Sequence, residues 1–150
     1  MDEFSVDFAA VNELEALADL LSELFDLECD FTPDRAKQLA ALRSIIDNPM
    51  LGRLFVLRAN GQVVGMANAL ITISTAEGGP VLLLEDVILK REYRGAGLGR
   101  RLVEHVLAWA AAQGMARVTL LADRGNAAAL DFYSRLGFRS SAMQVLRKSL

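Results

Sequence analysis

A glycine-spaced turn is the clearest chemical pattern in this sequence of 150 residues. Arg94 precedes Gly95, Gly97 and Gly99, and a helical pattern follows at once. Glycines let the backbone approach a ligand closely, and the first N–H groups of a helix point at an anion with the positive end of the helix dipole behind them. The spacing therefore predicts a phosphate-binding turn between a strand and a helix.

Several kinds of turn compete for this pattern. A P-loop requires G-x-x-x-x-G-K-[ST], and the sequence contains no such run. A dinucleotide-binding turn requires G-x-G-x-x-G and an acidic residue about 20 positions on, whereas this chain has G-x-G-x-G and Asp123 fits poorly. A nicotinamide-dependent oxidoreductase is therefore disfavoured, and protection of the protein against heat by NAD would be needed to support it. A glycine-rich helix entry that binds nothing is the structural alternative.

Two carboxylates stand just before the turn, where an apolar strand pattern breaks. Glu85 and Asp86 follow the run Val81–Leu84, and because adjacent strand residues face opposite ways, we expect only one of them to face a substrate. Burial there would raise the pKa of the carboxyl group towards a value useful for catalysis. Glu85 is our candidate general base, directly or through water, and Asp86 is the alternative. The structural explanation is that either carboxylate pairs with an arginine or caps a bulge.

The composition limits the class of protein. An apolar fraction of 53% and a charged fraction of 23% indicate one soluble globular domain. No apolar run approaches the roughly 20 residues of a membrane span, and no secretory signal pattern opens the chain. Cys29 is the only cysteine, which excludes an internal disulfide and favours the cytoplasm. With His105 as the only histidine we expect no metal, although a carboxylate site stays formally open.

The charge is unevenly distributed along the chain. Met1–Asp30 contains ten carboxylates and no lysine or arginine, whereas bases cluster in Lys90–Arg101 and from Arg117 onwards. The net charge of −3 argues against a nucleic-acid partner. The asymmetry favours a cationic substrate and an anionic cofactor, and solvated helix faces are the alternative explanation.

The hydrophobic periodicity predicts an α/β fold built on one mixed sheet with helices on both faces. Asn12 with Glu15 forms a capping-box pattern, and Thr32 with Pro33 predicts a second helix start. Asp26–Phe31 between these helices is a predicted substrate loop. The predicted elements are a strand Phe4–Phe8, a helix from Glu13 to about Phe25, a helix ending at Asp47, a hairpin of Leu54–Arg58 and Val63–Ile73 around Asn60-Gly61, a central strand Val81–Lys90, a helix from Leu98 to about Gln113, a parallel strand Arg117–Leu121, a helix Asn126–Leu136 and a last strand Ala142–Lys148.

The motifs around the turn resemble the GNAT superfamily of acyl-CoA-dependent N-acetyltransferases. Arg94–Gly99 is similar to the family signature [QR]-x-x-G-x-[GA], and Glu85–Leu89 followed by Tyr93 is similar to its central strand. Asn126–Phe138 is similar to a second block, N-x-x-A-x-x-[FL]-Y-x-x-x-G-F. Together they cover roughly Val81–Phe138 in the family's order. The resemblance implies the GNAT fold, a mixed central sheet with splayed parallel strands and helices on both faces, in a single domain over residues 1–150.

The resemblance implies that acetyl-CoA is the co-substrate, with its pyrophosphate on the N–H groups of Gly95–Arg100. A helix N-terminus beside arginines offers both donors and positive charge, although an exposed basic rim is the alternative for the arginines. The pantetheine arm would run between the two parallel strands, and one N–H of Val87 or Leu89 would polarise the thioester carbonyl. The expected cofactor-binding residues are Val87, Ile88, Leu89, Arg94, Gly95, Ala96, Gly97, Leu98, Gly99, Arg100, Asn126 and Tyr133.

Tyr133 is the candidate general acid. It lies seven residues after Asn126, almost two helical turns, so both side chains share one side of the helix. The family places this tyrosine hydroxyl near the sulfur, where a phenol with a pKa near 10 can protonate a departing thiolate. A core aromatic is the structural alternative. Some family members carry a glutamate on the preceding strand, and this chain has Leu121 instead.

These inferences predict an N-acetyltransferase that moves an acetyl group from acetyl-CoA to a primary amine through a direct ternary complex. The acidic N-terminal part favours a cationic acceptor such as a polyamine, an aminoglycoside or a lysine. We expect no membrane partner, and a homodimer is one state that the family leaves open. The alternative is a non-catalytic acyl-CoA-binding regulatory module, which would bind the cofactor without turnover.

Overall fold

The chain forms five strands and four helices over the residues that the computed structural model describes, 1–27 and 33–150. The elements are β1 (Phe4–Phe8), α1 (Leu14–Leu27), α2 (Arg35–Ile46), β2 (Gly52–Ala59), β3 (Gln62–Ser74), β4 (Gly79–Leu89), α3 (Leu98–Ala112), β5 (Val118–Leu120) and α4 (Ala127–Arg135), with 3-10 turns at Val11–Glu13 and Arg91–Tyr93. The predicted loop Asp26–Phe31 begins inside α1 and otherwise lies outside the described residues, as does Cys29.

The strands form one sheet in the order β1-β2-β3-β4-β5. The first four strands pair antiparallel with their neighbours, and β5 pairs parallel to β4 after the crossover through α3. Asn60 at φ 51° and Gly61 at φ 81° both have positive φ in the turn between β2 and β3. Since a two-residue primed turn needs this backbone, the predicted Asn-Gly hairpin is confirmed.

Helices cover both faces of the sheet, which confirms the predicted α/β layering. On one face, α1 and α2 pack on the β2, β3 and β4 side chains of Val56, Met66 and Ile88. On the other face, α3 packs on alternate residues of the same strands, including Phe55 and Leu84. Because strand side chains alternate between faces, the continuous apolar runs of β2 and β4 match a sheet that is buried on both sides.

The starts of the first two helices differ from the sequence predictions. The Glu13 carboxylate accepts the Ala10 N–H at 2.8 Å, and a 3-10 turn precedes α1, so the Asn12 capping box is wrong. The second helix begins at Arg35, two residues after the predicted start at Pro33, and the predicted cap Thr32 lies outside the described residues. Asp34 is its N-cap and accepts the Lys37 N–H at 3.2 Å, because a carboxylate placed just before the first turn supplies the missing acceptor.

The predicted last strand, Ala142–Lys148, is also wrong, since residues 142–148 form no strand. Met143 and Leu146 are each 87% exposed, so their apolar side chains gain no burial against the sheet. An alternating pattern stabilises a strand only where one face is covered and a partner strand is in register. This segment has neither, and β5 stays at the edge of the sheet.

Candidate functional site

The two parallel strands separate along their length. β5 pairs with β4 only from Leu82 opposite Val118 to Leu84 opposite Leu120, and β4 continues to Leu89. The second half of β4 is therefore hydrogen-bonded to β3 on one side only. Its other edge is open, which is the splay that the resemblance implied.

The hydrogen-bonding direction of β4 decides which backbone groups face this open edge. The Lys90 N–H donates to the Val64 carbonyl of the β3 side at 2.8 Å. Backbone groups alternate in direction along a strand, so Ile88 also faces β3, and Val87 and Leu89 face the open edge. The predicted donors Val87 and Leu89 are correctly oriented for a ligand there. Ile88 instead buries its side chain beneath α1 and α2.

The glycine turn leads from this edge to the start of α3. Gly97 is the N-cap at φ 80°, and no side chain caps the helix. The first intrahelical bond runs from the Arg101 N–H to the Gly97 carbonyl at 3.1 Å. The N–H groups of Leu98, Gly99 and Arg100 precede it and therefore have no acceptor within the helix. An uncapped start of a helix of 15 residues is suited to an anion.

The three arginines of the turn have different partners. Arg94 donates from Nε to the Leu89 carbonyl at 2.8 Å, which ties the turn to the end of β4. Arg100 pairs with Glu104 at 2.7 Å on the exposed side of α3. Arg101 donates to the Phe4 carbonyl of β1 at 3.0 Å. Arg94 thus positions the turn while its remaining donors stay available, and Arg101 is anchored to the sheet.

The helix α4 lies against the beginning of α3. Asn126 caps α4, since its Oδ1 accepts the Ala129 N–H at 3.1 Å. A Cβ atom at Gly99 would lie 3.5 Å from the Phe132 ring, an ordinary van der Waals distance, so the two helices pack closely at this point. Tyr133 stacks edge-on against Phe132, with ring centroids 5.0 Å apart. Burial raises the pKa of Tyr133 to about 12, which keeps its hydroxyl protonated at neutral pH.

A bulge lies at the two carboxylates of β4. Asn68 of β3 pairs with Glu85, and the next pair joins Met66 to Ile88, so β4 carries one more residue than β3 between the two pairs. Asp86 occupies this extra position at φ 53°. A positive φ is uncommon for a residue with a side chain, although aspartate tolerates it better than most.

The bulge turns both carboxylates towards α1 and α2. Leu84 packs on the α3 side and Ile88 on the α1 and α2 side. In a regular strand these two residues, four positions apart, would share one face, so the bulge changes the face between them. Asp86 accepts the Asn68 amide at 3.1 Å in a cavity between α1, α2 and β4, and Glu85 is the cross-strand partner of Asn68. The expectation that only one carboxylate would face this side is therefore wrong, because the extra residue breaks the period of two.

Burial perturbs both groups. It raises the pKa of Glu85, the neighbouring Asp86 charge raises it further, and the Arg147 charge opposes the change. Burial also raises the pKa of Asp86, and the hydrogen bond from Asn68 partly offsets it. Each carboxyl group is thus a better proton acceptor than an ordinary surface carboxylate.

The cavity beside Asp86 has a volume of about 190 Å³. Gln38 of α2 and Asn68 are its buried polar residues, at 6% and 5% exposure. The sequence analysis missed both of them. Asn68 could have been noticed as a lone amide inside the apolar run of β3. The helical pattern around Gln38 gave no comparable signal. The lining residues are Leu21, Phe25, Lys37, Gln38, Ala41, Leu42, Ile45, Asn68 and Asp86.

Two further features concern residues 1–27 and 33–150, the described part of the chain. None of the helices there combines the length and apolar character that crossing a membrane requires. The same residues contain no cluster of three or more histidine, cysteine, aspartate or glutamate side chains arranged to hold a metal ion.

Comparison with known proteins identifies the family. The sequence profile of the Acetyltransferase (GNAT) family matches residues 14–138. This chain belongs to the GNAT family. Glucosamine 6-phosphate N-acetyltransferase of Trypanosoma brucei brucei is 32% identical over 94 residues, which are 62% of this chain and 62% of that protein.

Solved structures of the GNAT fold agree over nearly the whole chain. An acetyltransferase from Trypanosoma brucei has a TM-score of 0.75 and 26% identity. The alignment covers 99% of this chain and 100% of that chain. Aminoglycoside N-acetyltransferase AAC(6')-Iy, solved with CoA, has a TM-score of 0.85 and 18% identity, over 99% of this chain and 96% of that chain. This second likeness shows the fold alone.

The curated relatives are longer than the part they share with this chain. The shared segment is 62% of the trypanosomal enzyme and between 38% and 44% of four other N-acetyltransferases. The family and the fold are thereby confirmed. The acceptor substrates in the relatives' names describe those proteins and are not assigned to this chain.

Proposed function

We propose that this GNAT protein transfers an acetyl group from acetyl-CoA to a primary amine by direct attack in a ternary complex. The observation that carries the proposal is the open edge of β4, which runs from two inward-facing carboxylates to the uncapped start of α3. An extended thioester substrate that ends in a pyrophosphate matches this sequence of groups in order. The solved relative with bound CoA supports the same co-substrate.

In this proposal the N–H groups of Gly95–Arg100 hold the pyrophosphate, aided by the free donors of Arg94 and by the helix dipole. The pantetheine arm pairs with the backbone of Val87 and Leu89 in the space that β5 leaves open. The Val87 N–H polarises the thioester carbonyl. As a fixed dipole, it stabilises the negative charge that develops on the carbonyl oxygen when the amine attacks.

Glu85 is the proposed general base. It takes a proton from the acceptor ammonium, directly or through water, and the neutral nitrogen then attacks the thioester carbonyl carbon. The C–N bond forms as the tetrahedral centre appears, and the C–S bond breaks as that centre collapses. The nitrogen then loses its second proton to give the neutral amide, and that proton passes through solvent to replace the one that the leaving thiolate takes up. The raised pKa of Glu85 supports this role because a base acts best when its pKa approaches the working pH.

Tyr133 is the proposed acid for the departing thiolate. Its pKa of about 12 exceeds the ordinary thiol pKa of about 8.5, so complete transfer to a solvated thiolate would cost roughly 5 kcal/mol. A closed site desolvates the thiolate as well, which raises its pKa and narrows the difference. We therefore propose that the Tyr133 hydroxyl donates a hydrogen bond to the sulfur as the C–S bond lengthens, and that the proton follows.

The acceptor is proposed to be cationic, because the N-terminal part of the chain is acidic. The relatives include enzymes named for an amino-sugar phosphate and for aminoglycosides as their substrates, so the fold does not select one acceptor. The proposal includes a cytoplasmic location and a homodimer, in line with the single cysteine and with the family.

The test is thiol release from acetyl-CoA across a panel of amines, with Tyr133→Phe in parallel. Tyr93→Phe is the matched control, since it removes the same hydroxyl from a residue that packs edge-on against Phe4. We expect a loss of at least tenfold in kcat for Tyr133→Phe only, with CoA binding unchanged in both. CoA binding with no thiol release from any amine would favour the regulatory module. Protection by NAD but not by CoA would contradict the family-based cofactor.

A further inference from the structure

The cavity beside Asp86 is bordered by two opposite charges that do not pair. Of the nine described residues that line it, Lys37 and Asp86 are the two that carry a charge. Neither side chain takes part in the ion pairs of the described residues. A lysine amine and a carboxylate therefore share about 190 Å³ of space without neutralising each other.

Lys37 stands at the mouth of this cavity. It lies in the first turn of α2, and the stripe of that helix which lines the cavity continues through Gln38, Ala41 and Leu42. Gln38 and Leu42 are buried, whereas Lys37 and Ala41 are exposed. Because a lysine stem is four carbons long and flexible, the Lys37 ammonium can turn from solvent into the cavity, towards the charge of Asp86. Exposed side chains change rotamer within nanoseconds, so this movement does not limit a chemical step.

The inner end of the cavity adjoins the proposed reacting groups. Asp86 lies between Glu85, the proposed base, and Val87, whose N–H faces the open edge of β4. An amine drawn towards Asp86 is therefore brought to the groups that would take its proton and polarise the thioester. Lys37 is itself a primary amine, which is the chemical class that the proposed reaction consumes.

The other amines of the chain are placed less favourably. The chain has three lysines, and neither Lys90 nor Lys148 is among the residues that line the cavity. The amino group of Met1 precedes β1, and β2 and β3 lie between β1 and β4 in the sheet. Proximity thus favours Lys37, since an amine held near a reacting carbon has a far higher effective concentration than one that must diffuse to it.

We propose that Lys37 is a self-acetylation site, modified by the protein's own acetyl transfer when no free amine occupies the cavity. The proposal rests on the proposed acetyl transfer. The Lys37 ammonium gives one proton to Glu85, and its nitrogen attacks the thioester carbonyl carbon. The C–N bond forms, the C–S bond breaks, and the second proton of the nitrogen replaces the one that the leaving thiolate takes up. The products are CoA as its thiol and a neutral acetyl-lysine, which leaves Asp86 as the charged residue of the cavity lining.

The test is incubation of the purified protein with acetyl-CoA and no added amine, followed by peptide mass spectrometry. An isotope-labelled acetyl group distinguishes new modification from any that the protein already carries. We expect Lys37 to gain the label at least about tenfold faster than Lys90 and Lys148, which report uncatalysed acetylation by the thioester. The rate constant should stay the same when the protein is diluted, because the lysine and the site belong to one chain.

Two controls separate catalysed from uncatalysed labelling. Excess desulfo-CoA, which fills the cofactor site and carries no acetyl group, should block labelling of Lys37 and leave that of Lys148 unchanged. Lys37→Arg keeps the positive charge at the cavity mouth and removes the nucleophile, so it should lose only the fast phase of labelling. Lys90→Arg is the matched variant and should keep that phase.

The outcomes distinguish this proposal from the acetyl transfer on which it rests. Labelling of Lys37 that is no faster than that of Lys148, that slows on dilution, or that persists with desulfo-CoA would overturn self-acetylation. Acetylation of added amines in the same assay would then leave the proposed activity standing. If neither Lys37 nor any amine gains the label while CoA binds, both proposals are wrong. Fast labelling of Lys37 that desulfo-CoA blocks supports both.

Discussion

Gly97 offers a matched test of the anion site at the start of α3. Gly97 and Gly78 both have φ of 80°, and a Cβ atom at either position would have no heavy atom within 4 Å. Alanine therefore imposes the same backbone strain at both positions and causes no collision at either. Gly78 lies in the turn between β3 and β4, whereas Gly97 immediately precedes the free N–H groups of α3.

The expected cost to stability is the same for the two variants. A left-handed backbone costs a residue with a Cβ about 1–2 kcal/mol. For a chain of this length each kcal/mol lowers Tm by about 2–4 °C, so we expect both Gly97→Ala and Gly78→Ala to melt roughly 2–8 °C below the wild type. Differential scanning calorimetry without ligand measures this difference directly.

The expected effect on CoA binding differs. A residue at position 97 relieves its strain by rotating out of the left-handed region, which redirects the N–H groups of Leu98 and Gly99 that follow it. The loss of one charge-assisted hydrogen bond costs about 1.5–3 kcal/mol, or roughly ten- to 150-fold in Kd. Titration calorimetry with CoA should show that loss in Gly97→Ala and wild-type affinity in Gly78→Ala.

Two results would refute this reasoning. Equal and unchanged CoA affinity in both variants would mean that the α3 N-terminus does not hold the pyrophosphate. An equal loss in both variants would mean that global destabilisation, and not the local donors, controls binding. A smaller Tm change in Gly97→Ala than in Gly78→Ala would show that the turn relaxes without cost.

Two further predictions concern titratable groups. The Glu13 carboxylate accepts two hydrogen bonds from Arg58, and this pair lowers the pKa of Glu13, so its stabilisation is present above the ordinary pKa of 4.5 and lost as the pH falls through the lower folded value. Glu13→Gln should destabilise the fold by about 2–4 kcal/mol at pH 7 and by progressively less below about pH 4.5 in urea titrations; a constant difference would contradict the linkage. For Glu85, whose pKa is raised, kcat/KM should fall as the pH drops through a value above the ordinary carboxyl pKa, and Glu85→Gln should remove that limb of the profile. An unchanged acidic limb in Glu85→Gln would assign the base to another group, with Asp86 the next to test.

Local sequence signals predicted the features that depend on neighbouring residues. The Asn60-Gly61 turn needs only two positive φ angles, so it was predictable, and the helix from Asn126 was predicted as well, although the capping role of the Asn126 side chain was not. The predicted strand Ala142–Lys148 is absent because a short segment with apolar residues contains no information about which strand and which apolar surface would receive it. Pairing is a property of the partner as much as of the segment.

The cavity beside Asp86 depends on contacts that no local pattern encodes. Gln38 lies on a helix and Asn68 on a strand, and only the packing of α2 across the sheet brings their amides to one cavity. The bulge at Asp86 was equally hidden, because aspartate occurs at many strand ends without a positive φ. The register of β3 against β4 fixes the bulge, and register is set by the whole sheet.

The bulge bears on the proposed reaction, in which one strand would contact both substrates. In a regular strand, turning Val87 and Leu89 to the open edge would leave a single carboxylate on the acceptor side, since side chains alternate. The extra residue gives two adjacent carboxylates on that side without changing the backbone direction beyond it. In the proposed reaction Glu85 accepts the proton, and Asp86 adds a second negative charge beside it. The positive φ at Asp86 costs about 1–3 kcal/mol, and we expect this energy to be the cost of placing two carboxylates on one side of the strand.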